Sequence, residues 1–338
     1  MTAAAPVPVS FLDPSVLARI GNLELLAKVV VEGFINGLHR SPHLGASTDF
    51  AEHRPYMPGD DIRRIDWRLF GRTDRHYVKE FEADTNTNFL VVLDVSPSMR
   101  YRAAERAGAV TKLTYGAYLA AALAYFSSLQ RDRVGLVTFD RDIVEYVPPS
   151  AKHLQLVLHG LQRAAAASAG GEEPADARGS RRSPAMSRAS DAKPRTGTDA
   201  PGSLVPVMRT LSESLRRRSI VLLISDLYEE PDDVIDALTF LRGRGNDVIV
   251  AHVLDRDELE FPFADAGSFL DLESGSALPV IPDYVRTQYR QLIRAHSAAL
   301  ARRVGEQRMD YALYDTAMPL DQALFAYLAA RQRYSRVR

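Results

Sequence analysis

Short apolar runs alternate with longer segments of helical apolar spacing along most of the chain. The runs at 89–93 and 220–224 are continuous, as is typical of strands buried on both faces of a sheet. Between them, residues 112–130 carry large apolar side chains at three- and four-residue steps, which predicts a helix. This alternation predicts an α/β fold, with a doubly wound and mostly parallel sheet that helices flank on both sides.

The same two patterns predict the remaining elements. Further strands are expected at 134–139, 143–147, 248–254 and 309–314. Further helices are expected at 15–38, 153–163, 204–217, 232–242, 283–305 and 320–331. Two short runs on either side of Ser274-Gly275 are expected to pair as a β-hairpin, 268–272 with 278–281.

The pattern divides the chain into two regions. Residues 1–88 hold one helix followed by short polar and aromatic pieces, which predicts a smaller N-terminal unit made of a helix and a β-rich signature region. Residues 89–338 hold the α/β alternation and form the predicted main domain. Within that domain, residues 164–200 are rich in Ala, Ser, Gly and Arg and almost lack large apolar side chains. We therefore predict a disordered insertion at 164–200.

Composition narrows the classes of function. The chain of 338 residues can bury a sizeable core, and its net charge of −1 gives no global field that favours nucleic acid or an anionic membrane. The absence of Cys excludes disulfides, thiolate catalysis and Cys-ligated metals, and it suits a reducing compartment. No apolar stretch approaches the roughly 18–20 residues that span a bilayer. We expect a cytoplasmic protein with no membrane span and no nucleic-acid partner.

Three oxygen-bearing side chains, Asp94, Ser96 and Ser98, directly follow the most apolar predicted strand. Ligand sites of doubly wound sheets lie beyond the carboxyl ends of the strands, and residues two apart in extended backbone point the same way. One carboxylate and two hydroxyls can therefore converge on a hard cation such as Mg²⁺, Mn²⁺ or Ca²⁺. Taken alone, the Asp-x-Ser-x-Ser pattern also fits a helix cap or a turn after a strand.

Two further residues extend this constellation. Asp226 follows the predicted strand 220–224, and Thr198 precedes the helix that leads into that strand. Five oxygen side chains would leave room for waters and one outside ligand. The predicted metal site is Asp94, Ser96, Ser98, Thr198 and Asp226.

A second dense segment lies upstream, at 56–67, and contains a Pro-Gly turn, closely alternating charges and the only Trp of the chain. One interpretation is a tight turn held by local Arg–Asp pairs. The other is a recognition surface, since Arg and Trp are favoured anchors of protein interfaces. The residues predicted to bind a partner are Arg63, Arg64, Asp66 and Trp67.

The first constellation resembles the metal-ion-dependent adhesion site of von Willebrand factor A domains. That resemblance gives Asp94, Ser96 and Ser98 the first-loop roles around Mg²⁺. It gives Thr198 the threonine role and Asp226 the role of the second aspartate. It also implies that an acidic side chain of a partner protein fills the open metal position. In that family the second aspartate is usually followed by Gly, whereas Leu227 follows it here.

The segment Gly59-Asp60-Asp61-Ile62-Arg63-Arg64-Ile65-Asp66-Trp67 closely resembles the signature of the bacterial "domain of unknown function 58" family. Members carry this core just ahead of a von Willebrand factor A-like domain, and the resemblance extends loosely over most of the chain. Many relatives have amino-terminal membrane spans. The resemblance implies a partnership with MoxR-type AAA+ ATPases in the assembly or maturation of protein complexes.

Three functions remain open from the sequence. The first is a non-enzymatic, metal-dependent protein-binding module, which the ligand set favours because no nucleophile–base pair accompanies it. The second is a Mg²⁺-dependent phosphohydrolase with Asp94 as nucleophile, but such sites typically have a second Asp where Ser96 stands. The third is a scaffold whose metal site is degenerate. No Gly-x-x-x-x-Gly-Lys-[Ser/Thr] loop is present, which excludes a P-loop ATPase.

Overall fold

The structure is a computed structural model. It describes residues 13–18, 20–40, 53–55, 77–79, 87–103, 108–169 and 204–335. The described strands are β1 (His53–Pro55), β2 (Tyr77–Lys79), β3 (Asn88–Asp94), β4 (Arg133–Phe139), β5 (Ile143–Ser150), β6 (Ser219–Ser225), β7 (Asp247–Leu254), β8 (Gly267–Leu270), β9 (Ala277–Val280) and β10 (Asp310–Asp315). The described α-helices are α1 (Pro14–Leu17), α2 (Leu23–Arg40), α3 (Lys112–Leu129), α4 (Leu154–Ala169), α5 (Leu204–Ser214), α6 (Pro231–Gly243), α7 (Arg256–Glu260), α8 (Pro282–Glu306) and α9 (Leu320–Ser335).

A six-stranded sheet forms the centre of the described fold, in the order β10-β7-β6-β3-β4-β5. Every neighbouring pair is parallel except β4 and β5, so that β5 is an antiparallel edge strand. The predicted mostly parallel sheet with flanking helices is therefore confirmed. Two small antiparallel pairs stand apart from this sheet, β1 with β2 and the hairpin β8–β9.

Side chains of the central strands alternate between two hydrophobic cores. Phe89, Val91 and Leu93 of β3 join the core under α2, α3, α4 and α9, whereas Leu90 and Val92 join the core under α5, α6 and α8. All five of these side chains are fully buried. A strand that is apolar at every position needs cover on both faces. This is why the apolar runs lie at the middle of the sheet.

Helix α2 belongs to the first of these cores. Its residues Leu26, Val30 and Phe34 are buried there with residues of α3 and α9. The ring of Phe34 meets Phe126 of α3 edge-on at 6.5 Å between centroids and Phe325 of α9 at 4.7 Å. Such edge-to-face contacts stabilise aromatic pairs beyond the burial of their surface. The N-terminal helix therefore packs directly on the helical layer of the sheet.

Several predicted boundaries differ from the structure, and two of the differences have a local physical cause. The helix expected at 15–38 is two helices, because the Asn22 side chain accepts hydrogen bonds from the backbone N–H groups of Glu24 and Leu25 and starts α2 anew. Helix α4 continues to Ala169, so the first six residues of the insertion predicted at 164–200 are helical. Ala has the highest helix propensity, and Ala164 and Ala165 also pack on the core. Residues 170–203 lie outside the described residues.

None of the helices in the described part of the chain combines the length and the apolar composition needed to cross a bilayer.

Candidate functional site

The candidate site lies at the carboxyl ends of β3 and β6, which are parallel neighbours in the middle of the sheet. Asp94 is the last residue of β3, and Ser225 is the last residue of β6. Asp226 follows at the next position. Their side chains are almost completely buried. Adjacent strand ends thus bring two carboxylates and one hydroxyl together at the edge where ligands of such sheets bind.

Asp94 is fixed by hydrogen bonds on both carboxylate oxygens. Its Oδ1 accepts from the backbone N–H of Ser96 at 2.9 Å, and its Oδ2 accepts from the Ser225 hydroxyl at 2.6 Å. Burial, together with the charge of Asp226, raises the pKa of Asp94 to about 7, although these hydrogen bonds work in the opposite direction. Two buried carboxylates side by side repel each other, and a cation between them would relieve that repulsion.

The two serines of the first loop converge. Residues Pro97–Arg100 form a short 3₁₀ helix, and the hydroxyl oxygens of Ser96 and Ser98 are 3.1 Å apart. Both serines line the same cavity as Asp94 and Asp226. The predicted convergence of one carboxylate and two hydroxyls after β3 is therefore present in the structure.

A distant carboxylate reaches the rim of this cavity. Glu273, in the turn between β8 and β9, accepts a hydrogen bond of 2.9 Å from the backbone N–H of Ser98. Its neighbours Leu272 and Ser274 are exposed, whereas Glu273 is half-buried and lines the cavity. The hairpin is thereby tied to the first loop of the site.

A buried lysine pairs with the second aspartate. Lys112 is the first residue of α3, and its side chain is fully buried. The Nζ atom donates at 2.8 Å to Asp226 Oδ2, at 2.8 Å to Glu258 Oε1 and at 3.2 Å to the Tyr228 hydroxyl. Burial works against its charge, but Asp226 and Glu258 hold the pKa of Lys112 above its ordinary value. The ammonium group is therefore charged within the fold.

Asp226 is supported from behind by a histidine. The buried His252 of β7 lies with Nε2 at 2.8 Å from the backbone carbonyl of Asp226 and with Nδ1 at 2.7 Å from the Tyr311 hydroxyl. Because a carbonyl oxygen only accepts, Nε2 carries the proton and Nδ1 accepts from Tyr311. Burial lowers the pKa of His252 to about 4, so the ring is neutral and serves to position the loop.

Leu227 occupies the place where the resemblance leads one to expect glycine. Its φ is 45°, in the left-handed region that only glycine adopts freely. The loop shape that Gly would provide is thus present here with a branched side chain. The Leu227 side chain is buried, its N–H donates to Ser225 Oγ at 3.2 Å, and its carbonyl accepts from His296 Nε2 at 2.7 Å. Packing and these bonds hold the strained conformation.

The cavity has a volume of about 130 Å³ and combines serine hydroxyls with acidic side chains. Hard oxygen donors of this kind suit Mg²⁺, Mn²⁺ or Ca²⁺. In the described residues no group of three or more His, Cys, Asp or Glu side chains is arranged to hold a metal ion. A cation would therefore depend on Asp94, the two serine hydroxyls and water, with Asp226 sharing its charge with Lys112. Together, the Asp94 carboxylate, the two hydroxyls and water supply oxygen donors that fit a divalent cation.

The outcome for the predicted site residues is mixed. The structure brings Asp94, Ser96, Ser98 and Asp226 together around one cavity. Thr198 lies outside the described residues; Leu204, the first described residue after it, lines the same cavity. The predicted partner-binding residues also lie outside the described residues: Arg63, Arg64, Asp66 and Trp67.

Sequence reasoning missed Lys112, Ser225, Glu258 and Glu273 as members of the site. One signal pointed to the lysine. Helix α3 contains a single charged residue, Lys112, and it stands in the first turn, where the helix dipole disfavours a cation. Only nearby carboxylates explain a buried ammonium at that position. No comparable signal marked Glu273, which lies 175 positions after Ser98.

Comparison with known proteins identifies relatives without an assigned activity. The family model described as "Protein of unknown function DUF58" matches residues 52–299. The uncharacterized proteins Mb1516 of Mycobacterium bovis and Rv1480 of Mycobacterium tuberculosis are each 25% identical over 293 residues. In each comparison the matched region covers 86% of this chain and 82% of the relative.

Among solved structures, the chain is similar to the conserved hypothetical protein BatB from Bacteroides thetaiotaomicron, with 12% identity and a TM-score of 0.42. It is also similar to an aerotolerance-related membrane protein from Bacteroides fragilis, with 13% identity and a TM-score of 0.43. Both matches cover 74% of this chain and 99% of the other.

Proposed function

The chain belongs to the DUF58 family of proteins of unknown function, and from its site we propose that it is a non-enzymatic, metal-dependent protein-binding module. The proposed domain is of the von Willebrand factor A type. Asp94, Ser96 and Ser98 would hold Mg²⁺, or Mn²⁺ or Ca²⁺, with Asp226 and Thr198 completing the set. An acidic side chain of the partner protein would fill the open position of the metal.

One observation carries this proposal. The Ser96 and Ser98 hydroxyls, 3.1 Å apart, share a cavity with Asp94, whose carboxylate is oriented by Ser225 and by the Ser96 N–H. Orienting partners of this kind are typical of carboxylates that bind metals. Among the described residues no histidine contacts a serine hydroxyl of the site, and the carboxylate that does so is Asp94, the proposed metal ligand, which favours binding over catalysis.

Calorimetric titration with MgCl₂ and MnCl₂ tests whether the chain binds a divalent cation. We expect saturable binding to the wild-type chain and its loss in Asp94→Ala. The matched control is Asp236→Ala, which removes an exposed carboxylate of α6 and should leave binding unchanged. Wild-type protein that shows no heat of binding with either metal contradicts the proposal.

The partner that we propose to test first is a MoxR-type AAA+ ATPase, on the basis of the family resemblance. Capture of the purified ATPase by the immobilised chain should require the divalent metal and should be lost in EDTA and in Asp94→Ala. We also place Arg63, Arg64, Asp66 and Trp67 at this interface, so Trp67→Ala should weaken capture without changing metal affinity.

A scaffold without metal is the second candidate, and Lys112 is the observation that favours it. Its ammonium group already neutralises Asp226 inside the fold. In that case capture of the ATPase would persist in EDTA, and Asp94→Ala would leave it unchanged. The same capture experiment therefore separates the two candidates.

A further inference from the structure

Lys112 and Glu258 belong to a buried group of charges, and the proposed metal-dependent function gives neither of them a role. The Nζ atom of Lys112 contacts Asp226 and Glu258 at 2.8 Å each, and it lies 4.7 Å from the centre of the Tyr228 ring. The lysine side chain has no exposed surface, and the two carboxylate side chains are 5% and 12% exposed. Water screens such charges weakly, so each one acts strongly on its neighbours.

The carboxylates outnumber the ammonium. Asp94, Asp226 and Glu258 together with Lys112 carry a formal charge of −2 when all four are ionised. A single divalent cation would bring this group to neutrality. The lysine already donates to Oδ2 of Asp226, the residue that directly follows β6.

We propose that Lys112 is a built-in cation that competes with a bound metal for Asp226 and thereby weakens the affinity of the site for divalent cations. The inference rests on the proposed function, since it concerns the same site. Glu258 has the complementary role, because it draws the ammonium away from Asp226 by sharing its hydrogen bonds.

The geometry also defines how Glu258 can be changed gently. Its Oε1 accepts from the Tyr228 hydroxyl at 2.6 Å, and its Oε2 accepts from the Asp255 N–H at 2.7 Å. A glutamine keeps an oxygen for one of these donors while removing the charge. Two carboxylates contact Lys112, and in Glu258→Gln only that of Asp226 keeps its charge.

Magnesium titration of three variants tests the inference. Glu258→Gln should bind Mg²⁺ more weakly than the wild type. Lys112→Met should bind it more tightly, on the order of tenfold or more, because a repelling charge is removed and Asp226 is released. The double variant Lys112→Met with Glu258→Gln keeps the formal charge of −2 and should still bind more tightly than the wild type. Lys152→Met, which removes an exposed lysine, is the control.

The double variant also protects the test from misfolding. Lys112→Met alone leaves two carboxylates without their counterion, whereas the double variant removes one charge of each sign. Circular dichroism verifies the fold before titration. A folded double variant that binds Mg²⁺ no more tightly than the wild type overturns the inference, as does tighter binding by Glu258→Gln. A purely structural lysine would shift both single variants in the same direction.

Failure of the proposed function has a different signature. If the wild-type chain binds no Mg²⁺ but the double variant does, then Lys112 excludes the metal and only the metal-dependent function falls. If the wild type binds and the order of the variants is reversed, the function stands and the role of Lys112 falls. Absence of binding in every variant overturns both.

Discussion

The hydroxyl of Ser225 donates a hydrogen bond of 2.6 Å to Asp94 across the ends of two parallel strands. This contact joins β6 to β3 beyond the last backbone pairing, Leu93 with Ile224. Both side chains are buried, so water competes little for this hydrogen bond.

Removal of this hydroxyl should destabilise the fold. Ser225→Ala leaves Asp94 Oδ2 without its donor, and the loss of a hydrogen bond to a charged group costs about 1–3 kcal/mol. The free energy of unfolding in urea measures the effect. Ser214→Ala is the control, because Ser214 is exposed and bonds only a backbone carbonyl of its own helix. Equal stability of the two variants would show that Ser225 does not hold Asp94.

Because the backbone of Leu227 is left-handed, the Gly variant at this position should be more stable than the Ala variant, which inverts the usual order of stability. Both Leu227→Ala and Leu227→Gly lose the buried side chain, but only glycine relieves a conformation that costs other residues roughly 1–2 kcal/mol. We expect Leu227→Gly to be the more stable variant in urea denaturation. Leu238 is a buried residue of α6. There the ordinary order is expected, and Leu238→Ala should be more stable than Leu238→Gly by about 1 kcal/mol. The same order at both positions would contradict the strain at Leu227.

Gly135 should not tolerate a side chain. A Cβ at this position of β4 would lie 2.8 Å from the Pro149 nitrogen and 2.8 Å from the Val147 carbonyl oxygen, and both atoms belong to the backbone of β5. Gly135→Ala should cost about 1–3 kcal/mol, since β5 must shift. Gly243→Ala meets no atom within 4 Å and should stabilise α6 by about 0.5–1 kcal/mol. Thermal unfolding of the two variants should therefore move in opposite directions.

The buried Tyr115 and the half-buried Tyr311 should respond in opposite ways to the loss of their hydroxyl. The Tyr115 hydroxyl finds no hydrogen-bond partner among the described residues, so Tyr115→Phe should gain up to about 1 kcal/mol. The Tyr311 hydroxyl bonds His252 Nδ1 at 2.7 Å. Tyr311→Phe should lose about 1–2 kcal/mol. Differential scanning calorimetry compares the two, and destabilisation by Tyr115→Phe would reveal a partner for its hydroxyl.

The sequence predicts well those features that depend on local pattern. The runs at 89–93 and 220–224 lie within buried central strands, because a strand covered on both faces must be apolar at every position. Asp94 and Asp226 could then be placed at the same sheet edge, since the carboxyl ends of parallel strands share it. The proximity of these two aspartates therefore followed from the topology of the sheet alone.

Features that depend on long-range packing could not be predicted in this way. Lys112 meets Glu258 across 146 positions of sequence, and Ser98 meets Glu273 across 175. Neither contact leaves a periodic signal. The same limit applies to the prediction of helix α2. Its amphipathic spacing indicates that one face is buried, but it does not indicate that α3 and α9 cover that face.

The edge strand β5 has a consequence for how copies of this chain can meet. Pro148 and Pro149 have no N–H groups, so they cannot donate to a further strand. The Pro148 carbonyl already accepts from the His153 ring at 2.7 Å, which removes an acceptor as well. The carboxyl-terminal end of this edge strand therefore offers fewer hydrogen-bonding groups to a further strand. Growth of a continuous intermolecular sheet across this end of β5 is thereby disfavoured.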